Sequence, residues 1–263
     1  MKKRISLLSV LITLIIASCS TVPLTERKQL LLVSDQEVLA LGLQSFNEYI
    51  ETAVPSNDAI NQAMVKRCGE KIQKAVEEYL ASQGQTAQIS GYEWEFVLTR
   101  DSAVNAFCMP GGKVVVYEGI LPYTKTENGL AVVIGHEIAH AVAKHSNERI
   151  SQQILAEAGS QTLSLLLSGK SETTQLLAST VFGLGANYGV MLPFSRKQEY
   201  EADKLGLIFM TMAGYDASEA VTFWERMSSG GTTVPEFLST HPSDANRIAA
   251  IKTLLPELEQ YKK

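Results

Sequence analysis

The chain has 263 residues, 45% of them hydrophobic, with 23 Lys and Arg against 28 Asp and Glu and a formal net charge of −5. That length supports one large domain or two small ones. The acidic balance excludes a protein that holds nucleic acid through a basic surface.

The first residues, Met1-Lys2-Lys3-Arg4, are basic, and the apolar run Ile5 to Ala17 is too short and too punctuated by Ser and Thr to span a membrane. This is the pattern of a secretory signal. It ends in Ile16-Ala17-Ser18-Cys19, which resembles the bacterial lipobox, where a cysteine is acylated and becomes the new N-terminus. An ordinary signal peptide with an incidental cysteine would also export the chain. By the lipobox resemblance, Ser20 in place of an inner-membrane-retaining aspartate implies an outer-membrane lipoprotein facing the periplasm of a Gram-negative bacterium. Beyond Cys19 only Cys68 and Cys108 remain. An oxidising compartment allows a disulfide between them, but both sit in apolar segments, and two buried thiols are the expected state.

Ser20 to Lys28 reads as a polar tether. Ser34 with Glu37 three residues on forms a capping-box pattern that opens a helix to about Thr52, and Pro55-Ser56-Asn57-Asp58 breaks it. A second helix is expected from about Asp58 to Ala81, with Ile60, Met64, Val65, Cys68, Ile72, Val76 and Leu80 at helical spacing. The period then changes. Trp94 to Leu98 alternates like a strand, and the segments Asn105 to Cys108 and Lys113 to Tyr117 flank the turn Pro110-Gly111-Gly112, predicting two or three antiparallel strands. Asn105 precedes a candidate edge strand, where an extended peptide adds as a further strand; spacing alone favours a plain turn asparagine.

From near Lys125 or Thr126 a helix carries Gly135-His136-Glu137-Ile138-Ala139-His140, the pattern H-E-x-x-H. On a helix, His136 and His140 leave the same face about one turn, roughly 6 Å, apart, the separation of two ligands of one tetrahedral ion. Glu137 is rotated by about 100° and reaches a water at that ion, where it serves as general base. The flanks are apolar nearly all round, so the helix is buried and its ionisable groups need partners. The region Ile150 to Leu192 is apolar but interrupted by charge and glycine, and reads as amphipathic helices with no membrane span. Ser195 then caps a helix on which Glu199 and Asp203 are four apart on one face, and residues 216–262 form two helices interrupted near Gly230-Gly231 and Ser239 to Ser243.

The third ligand decides the class. The metzincin pattern needs a glycine and a histidine where Ala143 and Ser146 stand, and His145 is one residue off register, so it reads as a structural or solvent-facing histidine. In gluzincin-type sites a glutamate from a later helix completes the shell, and an aspartate one turn further on holds the first histidine. Glu199 and Asp203 fit.

His136 to His140 together with Ser195-Arg196-Lys197-Gln198-Glu199-Tyr200-Glu201-Ala202-Asp203 resembles the zinc metallopeptidase family of HtpX, the CAAX prenyl endopeptidases and the mitochondrial Oma proteases, and is most similar to its soluble periplasmic lipoprotein branch. Val104 to Phe107, Pro110 to Lys113 and Thr240-His241-Pro242 extend the resemblance over about residues 30 to 255. It implies one zinc ion on His136, His140 and Glu199, Glu137 as base, Asp203 behind the ligands, Asn105 beside the substrate, and His241 and Arg247 as catalytic groups near the metal. His241 either fills the open zinc position at rest or polarises the substrate oxyanion. The chain ends soon after the peptidase region, so the helical repeats that some members carry are not expected.

The expected fold class is α+β, mainly helical: a gluzincin-type metallopeptidase domain with a small antiparallel sheet beside the H-E-x-x-H helix. Residues 1–18 are the leader, 19–30 the acylated Cys19 and tether, and 31–263 the single domain. The expected substrates are unfolded or misassembled envelope proteins, the anchor is an N-terminal lipid, and outer-membrane assembly machinery is a candidate partner. The alternative is a latent peptidase that acts mainly as a chaperone or assembly factor.

Overall fold

The computed structural model describes residues 19–158, 195–229, 236–241 and 245–262. The expected leader and most of the 150–192 region lie outside the described residues. So does the side chain of Cys19. Among the described residues no helix is long and apolar enough to cross a membrane.

The chain opens with an antiparallel ribbon, β1 (Cys19–Thr21) and β2 (Lys28–Leu30), paired from Cys19 with Leu30 to Thr21 with Lys28. A short polar tether was expected over Ser20 to Lys28, and the structure places a two-stranded ribbon there. Val22 is fully buried in the main core, and Leu32 N–H and Val33 C=O bond to Ser151 and Asn147 of a later helix. One apolar anchor and paired backbone groups fix a polar segment that has little hydrophobic signal of its own.

Helix α1 (Asp35–Thr52) begins at Ser34, whose side chain accepts from Glu37 N–H, and α2 (Ala59–Ser82) begins at Asp58, whose carboxylate accepts from Ile60 and Asn61 N–H. The caps satisfy backbone donors that have no partner within the first turn. Three strands follow, β3 (Glu95–Thr99), β4 (Ala106–Met109) and β5 (Lys113–Tyr117), in the order β3-β5-β4. The β4–β5 pair is antiparallel across Gly111 and Gly112, both in the left-handed region at φ 90° and 84°, as a tight reversal requires. The β3–β5 pair is parallel, Glu95 with Lys113 through Thr99 with Tyr117, so the expected antiparallel sheet is in fact mixed. Side-chain alternation reports which face is buried and carries no information on strand direction. Cys68 and Cys108 are free thiols, and burial pushes Cys68 up to about 12.

After the short α3 (Leu121–Thr124), helix α4 (Glu127–Val142) starts at the N-cap Thr126 and is buried from Gly129 to Val142. Lys144, at φ 56°, ends it and turns the chain into α5 (His145–Ala158). Helix α6 (Arg196–Met212) opens with a full capping box between Ser195 and Gln198. The amphipathic α7 (Glu219–Ser228), the short α8 (Glu236–Thr240) and α9 (Ala245–Leu254) complete the domain.

Helix α4 packs most extensively on α6, and α2 and the sheet enclose its other sides. The α4–α6 crossing is closed by two glycines. A Cβ added to Gly135 would lie 2.8 Å from Gly206 O, and one added to Gly206 would lie 2.7 Å from His136 N. Both clashes are with backbone, which cannot rotate away. Gly206→Ala and Gly135→Ala are therefore each expected to lose about 1–3 kcal/mol in urea unfolding by overpacking, outweighing the roughly 1 kcal/mol that alanine adds to a helix. A stabilised variant would show that the crossing is not tight.

Candidate metal centre

The crossing carries the site. Gly135 stands immediately before His136, and α6 presents Glu199 in its first turn and Asp203 in its second. The segment after α8 adds His241. One donor atom from each of His136, His140, Glu199 and His241 falls within a common span of 4.8 Å, and all four residues are buried. His136 Nε2 lies 3.1 Å from His140 Nε2 and 3.2 Å from His241 Nδ1. Glu199 Oε1 lies 3.4 Å from His140 Nε2 and 3.1 Å from His241 Nδ1, and its Oε2 is 3.5 Å from His136 Nε2.

These spacings fit one metal ion. Donors at about 2.1 Å from a tetrahedral ion are ~3.4 Å apart, close to the observed separations. The chemistry fits as well: three imidazoles and one carboxylate face one another with few protons to share. Against its own burial, His241, His136 and His140 hold Glu199 well below the usual carboxylate range, while burial holds His140 well below the usual histidine range. These shifts favour the lone-pair forms of Glu199 and His140, whereas Asp203 and Glu199 raise His136 against its burial.

Glu137 is turned toward the same point. Its Oε1 is buried without a hydrogen-bond partner, 3.4 Å from His241 Nε2. Burial pushes Glu137 up to about 7, against the nearby His241 and with the nearby Glu199.

Asp203 Oδ1 lies 3.0 Å from His136 Nδ1, so it orients the ring whose Nε2 faces the cluster. Arg247, read from sequence as a catalytic group, is placed behind the ligands. Its Nη2 donates to Asp203 Oδ1 at 2.8 Å, its Nη1 sits 3.0 Å from Glu199 Oε2, and the guanidinium carbon is 3.7 Å above the Trp224 ring centre. There it neutralises two buried carboxylates. Asn105 leads into β4, which is an edge strand. Its carbonyl accepts Tyr117 N–H at 3.1 Å, and its Oδ1 accepts Ala106 N–H at 2.9 Å. Just before it, Val104 C=O accepts Phe237 N–H at 2.9 Å, and the Phe237 ring stacks on His241 at 4.5 Å. The α8 segment thus already covers the start of the edge.

Of the two readings of His145, structural or solvent-facing, its burial rules out the second. It is fully buried, with Nδ1 2.9 Å from His140 Nδ1 and Nε2 3.0 Å from Glu201 Oε2. Glu201 also accepts from Thr25 Oγ1 and Arg27 Nε. Despite burial, these bonds hold Glu201 down to about 2. The one sequence signal was the pairing of an extra histidine with a third carboxylate on the α6 segment; Arg27 gave none, because it falls in the presumed tether.

The buried histidine pair, the helix-borne glutamate and the neighbouring Glu137 stand in the arrangement expected of a gluzincin-type metal centre. Residues 69–255 match Peptidase family M48, and the chain belongs to that family. It is 43% identical over 176 residues to the mitochondrial metalloendopeptidase OMA1 of Schizosaccharomyces pombe, a match covering 65% of this chain and 49% of that protein. With the human mitochondrial metalloendopeptidase OMA1 it shares 28% identity over 242 residues, 89% of this chain and 45% of the relative. With the beta-barrel assembly-enhancing protease of Escherichia coli it shares 31% over 163 residues, 59% of this chain and 33% of the relative. The chain spans half or less of the length of these curated relatives.

These relatives also correct the expected location. The OMA1 enzymes of fission yeast, Arabidopsis, budding yeast and human are mitochondrial by name, so the assignment to a bacterial outer membrane facing the periplasm is overturned. A basic start followed by an apolar run does not by itself name a compartment.

Replacing Arg247 with Met leaves Asp203 and Glu199 buried beside each other with their cation gone. Urea unfolding of the metal-free protein is expected to show a loss of about 3–5 kcal/mol. The metal-loaded protein should lose less, because the ion takes over part of the neutralisation.

Proposed function

We propose that the chain is a zinc-dependent endopeptidase that cuts unfolded or misassembled proteins. The observation that carries this reading is Glu137 Oε1, a buried carboxylate oxygen without a hydrogen-bond partner, aimed at four donors spaced for one ion. His136, His140 and Glu199 would hold the zinc; an imidazole and carboxylate donor set suits that ion. Bound there, zinc supplies Lewis acidity to the attacking water and to the peptide carbonyl. Glu137 takes the proton from the water as its oxygen bonds to the carbonyl carbon, and returns it to the amine as the C–N bond breaks. Asp203 keeps the His136 ring in the ligating tautomer, and Arg247 acts as a positioning residue on Asp203 and Glu199.

Substrate is proposed to add as an extended strand to β4 next to Asn105, which selects flexible segments over folded ones. The name of the Escherichia coli relative, a beta-barrel assembly-enhancing protease, supports proteins undergoing assembly as clients.

A second reading rests on His241. Its Nδ1 completes the group of four donors, its Nε2 faces Glu137, and α8 is bonded to Val104 at the strand edge. In this arrangement the peptidase is latent, and the chain serves mainly as a chaperone or assembly factor until His241 withdraws.

The purified chain should bind one zinc and digest an unfolded protein, losing activity to a chelator and regaining it with zinc. Glu137→Gln should retain zinc while its cleavage falls by about 10²–10⁴-fold. Equal zinc content with no cleavage by either protein would reject the peptidase reading. Measured beside them, His241→Ala separates the two states: faster cleavage than wild type shows latency, and loss of cleavage with zinc retained shows a catalytic role.

A further inference from the structure

Both ligand histidines of α4 have a second ring nitrogen that points away from the metal donors, and each is held from behind. His136 Nδ1 meets Asp203, on the same helix as Glu199. His140 Nδ1 meets another imidazole, His145 Nδ1, at 2.9 Å. If His140 offers Nε2 to the ion, its Nδ1 carries the proton and donates, so His145 Nδ1 is the acceptor and His145 Nε2 carries the proton. That proton points at Glu201 Oε2, 3.0 Å away. The chain of donors and acceptors therefore has a single consistent direction, from His140 through His145 to an ionised Glu201.

Glu201 is fixed in turn from the N-terminal ribbon. Arg27 Nε donates to its Oε2 at 2.6 Å, and Thr25 donates to its Oε1. The rest of the Arg27 guanidinium grips Glu148 of α5 in a two-toothed pair, at 2.7 and 2.9 Å. Gln198 Nε2 on α6 closes the loop at 2.8 Å from Glu148 Oε2. Arg27 thus joins α5, which carries His145, to α6, which carries Glu201, and the side chains involved are nearly all buried. A planar guanidinium that spans two carboxylates fixes their spacing in a way a flexible ammonium does not.

We propose that His145, Glu201 and Arg27 form a positioning relay for the metal ligand His140, so that the N-terminal ribbon completes the metal centre. The relay touches neither substrate nor ion; it sets the tautomer and ring angle of His140. It rests on the reading of His136, His140 and Glu199 as zinc ligands. The N-terminal ribbon, read from sequence as a tether, then controls how tightly the centre keeps its metal.

The test is zinc affinity of the full chain, measured by competition with a chromogenic chelator, together with the visible spectrum of the cobalt-substituted protein and the melting temperatures of metal-free and zinc-loaded forms. His145→Ala is expected to weaken zinc binding by about 10–100-fold, the usual effect of removing a partner behind a ligand. Arg27→Ala should weaken it several-fold, with Arg27→Lys in between, and both His145→Ala and Arg27→Ala should shift the cobalt bands. The melting temperature of the zinc-loaded form should fall more than that of the metal-free form, because affinity lost from the native state lowers only the loaded protein. Equal falls in both forms, with zinc affinity and cobalt spectrum unchanged in His145→Ala and Arg27→Ala, would reduce the network to ordinary packing and overturn the relay. A wild-type chain that binds no zinc, or one whose binding survives His136→Ala, would instead overturn the ligand assignment itself.

Discussion

The contact between Gly135 and Gly206 is the constraint on which the site depends. With no side chain on either glycine, α4 and α6 approach until backbone meets backbone, and a single added carbon would sit under 3 Å from the opposite chain. His136 follows Gly135 directly, while Asp203 and Glu199 lie one and two turns before Gly206. The approach therefore decides whether a carboxylate and two imidazoles from separate helices meet at one point. The burial of α4 from Gly129 to Val142 then holds that geometry rigid, since a packed helix cannot shift to accommodate a looser site.

The second constraint is charge. Glu137, Glu199, Asp203 and Arg247 are all buried within one region, and carboxylates that are taken out of water without partners are strongly destabilising. The structure meets most of this demand with Arg247 and the histidines, but leaves Glu137 Oε1 without a hydrogen bond. An unmet acceptor beside a ring of imidazole nitrogens is what a water held at a cation would satisfy. Residual frustration of this kind concentrates where a protein binds or reacts, and here it coincides with the H-E-x-x-H face. His241 partly relieves it by facing both Glu137 and Glu199.

Periodicity located most of the helices, because an amphipathic or wholly apolar stretch of ten or more residues has few other ways to bury itself, and the caps Ser34 and Ser195 marked two of their starts. The sheet was less legible. Alternation in Trp94 to Leu98 and the β-branched run in Lys113 to Tyr117 showed strands, yet the parallel β3–β5 pairing depends on the path of the chain between them. The ribbon at 19–30 was missed altogether, since its order comes from Val22 entering a core built elsewhere and from Arg27 meeting Glu148 and Glu201, more than a hundred residues away in sequence.

By itself the sequence determined the local chemistry: His136 and His140 one turn apart, Glu137 beside them, and Glu199 and Asp203 repeating the same spacing on a later helix. Helical spacing fixes which side chains share a face, and that much needs no knowledge of the fold. Only the tertiary structure decided which faces meet. It put His241 against the ligands, Arg247 behind them, and His145 against His140, although no fixed spacing links these residues. Distances between helices are set by the packing of whole surfaces, glycine contacts included, and a motif read along one chain carries no record of them.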